Sequence, residues 1–438
     1  MLASITLREH EELCSTSLDL VGCVKSWFET SDKSDFLYSK SWNPVKVRYI
    51  ETEEKRTVFE TKVMKGSLFV KSSYFVGVDW IVPGKLKIEV QPKVEEGKRV
   101  DYIKLLSEGL LNPEAEENAD DLYAIDWDAT PVPCSSENGN FKLFLAILFV
   151  GLMKKLLKKG LRRAYYPKEA ILSHKIKGKV ALSKLQRNIS SKAALSLTCK
   201  FDEFDFDSPE NRLLKEALKL SKRIIQNCKS CSDSGSLLVS EIGRQMKFFD
   251  LVTSLSNLKP VKNLKPNPFF KDYGTCLRIA NELLFFQSLD RPTDSSTNLV
   301  PPYWINMPKL FELFVLKELR SRIHYPHWVK YHFCSNYQEL DYFGTSQYEE
   351  IPFFVADAKY KPNYITSSVE KEDIRQVAGY ARFSSVYENL GLSGENKLIP
   401  CLIIYTNQSC PEKLELDKIS CCKGYEQIYK VGIALPTL

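Results

Sequence analysis

The chain has 438 residues, of which 44% are hydrophobic and 26% charged. This composition excludes a disordered chain and supplies enough apolar material for two or three domains with their own cores. The net charge of +6 permits a nucleic-acid partner without demanding one.

The N-terminus, MLASITLREHEELC, has acids where a signal peptide needs an apolar run, so a cytoplasmic protein is expected. Residues 1–112 read mainly as β-structure. KVRYIE, TVFETKVM, SLFVKSSYFVGVDWIV and KLKIEVQPKV are rich in β-branched and aromatic residues, with Gly and Pro between them. The alternation from Lys85 to Val90 puts Leu86, Ile88 and Val90 on one face of a strand that stops at Pro92.

Residues 113–290 read as a linker and a mainly helical middle domain. The acidic, polar stretch from Asn112 to Asn140 is an exposed connection. The strongest apolar run, Leu143 to Met153, is about half the length of a bilayer-spanning helix. It predicts a buried helix, followed by the basic KKLLKKGLRR, and no membrane association. In ENRLLKEALKLSKRIIQN, residues Leu213, Leu214, Ala217, Leu218 and Ile224 share a stripe, with a cap at Ser208 and a first-turn proline at Pro209. Cys228-Lys-Ser-Cys231 has a zinc-like spacing and Cys421-Cys422 is a second pair. No matching Cys or His pair accompanies them, so free thiols are expected.

A second polar break, Gln287 to Pro302, precedes a C-terminal domain over 291–438. Its order is a helix (Met307–Arg322), strands around Tyr337–Phe343 and Ile351–Tyr360, a helix (Asp373–Glu388), and strands at Leu398–Thr406 and Tyr429–Ala434. That is an α/β order, and the whole chain is an α+β multidomain protein.

The second of those strands ends in Asp357-Ala358-Lys359. Residues two apart on a strand point to the same side, so an acid and a base project together from the end of an apolar strand. Such strand ends are where open sheets bind ligands. The carboxylate can hold a hard cation such as Mg2+, and the ammonium can orient a water or stabilise charge at phosphorus. One carboxylate is a weak metal site. Asp341, on the preceding strand, supplies a second if the two strands pair, and a main-chain carbonyl such as that of Ala358 can complete the shell. Glu312 lies on an otherwise apolar helix stripe and can be a third ligand. Gln376 and Tyr380 stand four apart on one helical face, where they can steady Lys359 or contact DNA. Each residue alone has an ordinary structural reading: a turn aspartate, an amphipathic-helix glutamate, a helix-surface hydrogen bond. The information is in their order.

That order resembles the PD-(D/E)xK nuclease fold in its RecB-like form, which has the Gln-x-x-x-Tyr helix. Leu340 stands where the motif often has proline. Over most of the chain the sequence resembles McrC, the nuclease subunit of McrBC-type modification-dependent restriction systems. The landmarks are Pro92-Lys93 in KLKIEVQPKV, Gly178-Lys179 in HKIKGKVALSKLQRN, Asn211-Arg212 in CKFDEFDFDSPENRLLKEAL, and Leu310-Phe311-Glu312 before the nuclease motifs. Lys177 stands where the family often has Arg, which keeps the charge and loses the fork.

The resemblance implies a Mg2+-dependent (or Mn2+-dependent) DNA endonuclease. Asp341, Asp357 and Glu312 would be metal ligands, Lys359 would handle water, and Gln376 and Tyr380 would support. It implies a separate McrB-like AAA+ GTPase that recognises and translocates modified double-stranded DNA, docked through the N-terminal and middle parts, and it allows self-association. The chain lacks G-x-x-x-x-G-K-[ST], so it is not expected to bind nucleotide itself. The alternatives are a non-cleaving regulatory adaptor of an AAA+ motor, or a structural or RNA-processing nuclease of another lineage.

Overall fold

The computed structural model describes residues 3–28, 36–41, 57–95, 97–110, 122–134, 141–182, 196–228, 232–254, 271–289, 298–323, 326–335, 338–349, 351–361, 364, 368–394, 397–417 and 419–437. The expected strand KVRYIE, Cys231, Tyr337 and parts of both polar connections lie outside these residues. The chain forms two compact units, one of residues 1–141 with 295–438 and one of residues 142–294. This differs from the expected three-part division, because the first and last segments belong to one unit.

In the first unit, the N-terminal segment supplies all of one sheet and most of a second. A four-stranded antiparallel sheet runs Glu12–Ser15, Ser67–Ser72, Thr57–Met64, Phe36–Ser41. A five-stranded sheet runs Ala3–Arg8, Leu86–Gln91, Phe75–Val82, Tyr303–Asn306, Tyr123–Ile125. Leu68, Val70, Phe59, Ile88, Trp304 and helix residues Val21 and Val24 share one core. Leu86, Ile88 and Val90 are buried as expected, but so are Lys87 and Glu89 on the opposite face, which form an ion pair. The strand stops at Gln91, because Pro92 has no N–H to give.

Tyr303–Asn306 shows why the division falls where it does. It lies late in the chain but pairs antiparallel with Phe75–Val82. The approach is close: a Cβ on Gly77 would lie 2.0 Å from the Tyr303 carbonyl oxygen. Asn306 ends this strand and caps the next helix, its Oδ1 accepting from Lys309 N, with Pro308 in the first turn. That helix, Met307–Arg322, is apolar on nearly every side, burying Leu310, Phe311, Leu313, Phe314, Val315, Leu316 and Leu319.

The C-terminal segment forms a six-stranded sheet in the order Lys330–Ser335, Gln338–Thr345, Phe353–Lys359, Cys401–Thr406, Ile428–Ile433, Ser420–Cys421. The first three strands are antiparallel, and Phe353–Lys359, Cys401–Thr406 and Ile428–Ile433 run parallel. The parallel step from Phe353–Lys359 to Cys401–Thr406 needs a long crossover, usually a helical one. Here it is two helices, Lys371–Tyr380 and Ser384–Leu390, where one over Asp373–Glu388 was expected. Phe383 breaks it by adopting an extended conformation, with its carbonyl accepting the Val386 N–H of the second helix. Val377, Tyr380, Ala381 and Val386 pack on Val355, Cys401, Ile403 and Tyr405.

The second unit contains helical residues of Phe141–Lys158 from Lys142 onward, and Pro209–Gln226, Ser232–Met246 and Lys271–Leu289. It also holds a three-stranded antiparallel sheet, Ala164–Ser173, Ser196–Asp205, Lys179–Val180, which the expectation of a helical region missed. The Pro209–Gln226 stripe is as expected at Leu213, Leu214, Ala217 and Leu218, but it ends on Ile225 and not Ile224. Ser208 Oγ accepts from Asn211 N, and Pro209 occupies the first turn. Asn211 is buried, donating to the carbonyls of Arg162 and Phe206 and accepting from Tyr273 Oη. Arg212 holds Asp207 through two 2.7 Å bonds. Gly178 has φ +68° and a virtual Cβ 2.3 Å from the Lys200 carbonyl, so glycine is required there. Two of the sequence landmarks therefore have folding roles. Cys228, Cys421 and Cys422 are free thiols. No described helix is long and apolar enough to cross a membrane.

Candidate active site

The strands Gln338–Thr345 and Phe353–Lys359 are antiparallel neighbours, with Tyr342 opposite Ala356 and Phe343 opposite Val355. Continuing this register brings Asp341 and Asp357 to the same end of the pair. Asp341 Oδ2 accepts from Ala358 N at 2.9 Å. This main-chain donor pins the carboxylate between Asp357 and Lys359. The Ala358 amide is thereby engaged within the site.

Asp357 is 2% exposed, and Lys359 Nζ lies 2.7 Å from its Oδ2, as the two-residue spacing predicted. The ammonium also donates to Gln376 Oε1 at 2.9 Å, and Gln376 Nε2 donates to Tyr380 Oη at 2.7 Å. The Gln-x-x-x-Tyr helix thus orients the lysine in a relay of three side chains. Asp373, one turn before Gln376 on this helix, adds a second carboxylate 3.6 Å from Lys359. It also binds Tyr364 Oη and Lys361.

Glu312 reaches the same region from the Met307–Arg322 helix. Its Oε2 accepts from Lys309 Nζ at 2.9 Å and Tyr331 Oη at 3.2 Å, and lies 3.0 Å from His332 Nε2. Its main-chain carbonyl accepts from the buried Tyr342 Oη at 2.7 Å, which ties the helix to the Asp341 strand. His332 Nδ1 pairs with Glu339. Ligand atoms of Glu312, His332 and Asp341 all lie within 4.8 Å of one another. His332 and Lys309 were not anticipated. The edge strand Lys330–Ser335 that carries His332 gave no clear alternation, and Lys309 looks like an ordinary first-turn helix charge.

The electrostatics are those of an acid cluster short of cations. Burial pushes the Asp341 carboxyl well above its usual range, and the neighbouring Asp357 and Glu312 push it further. Burial likewise raises Asp357, with Lys359 acting against it. Burial also opposes ionisation of Glu312, but Lys309 and His332 outweigh it and hold this carboxyl at about 2. Burial disfavours the His332 cation, yet Glu312 and Glu339 raise its pKa to about 9. Burial acts against the Lys359 ammonium, and Asp357 more than compensates. All six expected residues therefore fall into two linked groups: Asp357, Lys359, Gln376 and Tyr380 in one, and Glu312 and Asp341 with His332 in the other. Asp341 joins them.

Three comparisons with known proteins bear on identity. The family model described as McrBC 5-methylcytosine restriction system component matches residues 70–390. No curated protein matches. Among solved structures, one similar chain is from a refined half-complex of a tetradecameric assembly of Thermococcus gammatolerans McrB AAA+ hexamers with bound McrC. It has 16% identity and a TM-score of 0.40, with 100% of this chain and 95% of that chain covered. A second, from the cryo-EM structure of the Thermococcus gammatolerans McrBC complex, has 16% identity and a TM-score of 0.29, covering 72% of this chain and 87% of that one. These structural likenesses are too remote to bear on the fold. The family model is different in kind, since it spans most of the sequence, and on that match this chain belongs to the McrBC 5-methylcytosine restriction system component family.

Proposed function

We propose that this chain is the McrC-type nuclease subunit of a McrBC-like restriction system. It hydrolyses phosphodiester bonds in modified double-stranded DNA, in the cytoplasm, through a PD-(D/E)xK domain within residues 291–438. The observation that carries the reading is the meeting of Asp341, Asp357 and Lys359 at one end of two paired strands.

The acid cluster fits a divalent cation. Mg2+ takes oxygen ligands, and Asp341, Asp357 and Glu312 offer carboxylate oxygens whose mutual repulsion a cation would relieve. Bound there, Mg2+ (or Mn2+) would polarise the phosphate and lower the pKa of a coordinated water. The chain's own contribution is to hold these groups before substrate arrives. Ala358 N fixes Asp341, Asp357 and Gln376 fix the Lys359 ammonium, and Tyr380 fixes Gln376. Lys359 then orients the attacking water and stabilises the charge that develops on phosphorus. DNA recognition and movement fall to a separate McrB-like AAA+ GTPase, which this subunit would dock on and stimulate. Membership of a family described as a restriction system component supports a role shared with a partner.

The test is cleavage of 5-methylcytosine-bearing duplex DNA by the reconstituted complex with Asp357→Ala or Lys359→Ala. Loss of cleavage with assembly and GTPase stimulation retained supports the reading. Undiminished cleavage ends it, and leaves a non-cleaving adaptor as the better account.

A further inference from the structure

The landmark Pro92-Lys93 takes no part in the site described above, yet it touches the site's framework. Lys93 follows the strand Leu86–Gln91 of the N-terminal sheet. Its Nζ lies 3.6 Å above the centroid of the Tyr360 ring and 3.3 Å from Thr406 Oγ1. Its main-chain N donates to Glu9 Oε2 at 2.9 Å, and Tyr360 Oη donates to the same oxygen at 3.1 Å. Glu9 and Tyr360 are both buried.

Where these contacts land gives them meaning. Tyr360 is the residue after Lys359. Strand alternation sends successive side chains to opposite faces, so Lys359 meets Asp357 and Gln376 while Tyr360 meets Lys93. The Tyr360 ring also packs 5.8 Å from Phe311, the neighbour of Glu312. Thr406 ends the parallel strand whose Tyr405 is in register with Lys359. One lysine just past the N-terminal sheet thus bridges the ends of two central strands beside two of the site residues.

We propose that Glu9, Lys93 and Tyr360 form a positioning latch, through which the N-terminal sheet holds the end of the Asp357–Lys359 strand in cleavage geometry. The proposal rests on the nuclease reading above and adds to it a route by which a load on the N-terminal sheet reaches Lys359. The three side chains lie across the strand end from the Lys359–Asp357 pair. Their effect is on alignment, which small displacements penalise heavily.

The experiment compares Lys93→Met, Lys93→Arg, Tyr360→Phe and Asp357→Ala in the full chain with its GTPase partner, Mg2+ and 5-methylcytosine duplex. It reads the maximal cleavage rate and the DNA concentration at half-saturation separately. Lys93→Met keeps the stem and loses the cation, and should lower the maximal rate about tenfold with half-saturation unchanged. Lys93→Arg keeps a cation over the ring and should stay within about threefold of the parent. Tyr360→Phe loses only the hydroxyl bond to Glu9 and should fall between them; it carries the test alone if Lys93→Met does not fold. The latch is refuted by a parental rate in both Lys93→Met and Tyr360→Phe. It is equally refuted if Lys93→Arg is as impaired as Lys93→Met, or if half-saturation rises in step with the loss of rate. An Asp357→Ala variant that still cleaves sinks the nuclease reading itself, and the latch with it; loss of cleavage in Asp357→Ala beside a parental rate in the latch variants sinks the latch alone.

Discussion

Replacing Asp341 with Asn should stabilise the metal-free protein while removing its response to Mg2+. Asp341 and Glu312 present oxygens within 4.8 Å of each other. When both are ionised, two like charges at that distance repel by about 3 kcal/mol at an effective dielectric of ~20, which is part of what raises the Asp341 carboxyl. Lys309 and His332, at 2.9 and 3.0 Å from Glu312, offset much of this, so a net gain of about 1 kcal/mol is expected. Asn keeps an oxygen that can accept from Ala358 N, so the main-chain anchor survives. In a unit of this size such a gain raises the melting temperature by about 2 °C. The assay is thermal unfolding of the parent and Asp341→Asn at about pH 8, with EDTA and then with ~10 mM Mg2+. For a dissociation constant near ~1 mM, the parent should gain about 1.4 kcal/mol from the metal, and the variant should gain almost none. A variant that melts below the parent in EDTA, or that gains as much from Mg2+, would show that Asp341 is an ordinary structural carboxylate and not part of a cation site.

Gln376→Ala should leave the fold intact and lower cleavage about tenfold, because Lys359 loses the acceptor that orients its ammonium; a parental rate at saturating Mg2+ argues that Asp357 and Asp373 suffice. In the second unit, Arg212 holds the Asp207 carboxyl down at about 2. A carboxyl depressed below its usual range adds stability that is full above pH ~4 and is lost as the pH falls towards ~2. Arg212→Gln should therefore flatten that acid limb and cost about 1 kcal/mol at neutral pH, after discounting for solvent screening; chemical denaturation at several pH values reads both. Gly77→Ala should destabilise the first unit by about 3 kcal/mol, since its Cβ would fall 2.0 Å from a main-chain oxygen of the paired strand; an unchanged denaturation midpoint would mean that the strands separate freely.

Period and chemistry made different parts of this protein legible. The Met307–Arg322 helix was readable to the residue, because an Asn-Met-Pro start and two terminal arginines bracket a strongly apolar stretch. The strand ending in Lys359 was readable because a run of apolar residues stops at two charges of opposite sign. The parallel strand at Cys401–Thr406 was readable by the same apolar criterion. The helix break at Phe383 was not, because an aromatic residue is compatible with a helix and only its extended backbone ends one. The sheet of the second unit was hidden by its composition: Ala164–Ser173 exposes Tyr165 and Ile171 and carries charges on both faces, so neither helix nor strand period stands out.

The same contrast runs through the site. Asp357, Lys359, Gln376 and Tyr380 could be found because their spacings within single elements, two on a strand and four on a helix, dictate that each pair shares a side. Asp341 and Glu312 needed the further inference that separate elements meet, and the register at Tyr342–Ala356 and the Tyr342 bond to the Glu312 carbonyl are the contacts that bring them there. His332 belongs to no spacing at all. It comes to Glu312 from a third element, the edge strand, with a φ of 52°, a backbone conformation that no local pattern announces. A group is therefore legible from sequence to the extent that one element fixes it. His332 and Lys309, the residues that neutralise Glu312, are set by how elements are stacked, and the chemistry proposed for Asp341, Asp357 and Lys359 depends on that stacking as much as on the three side chains themselves.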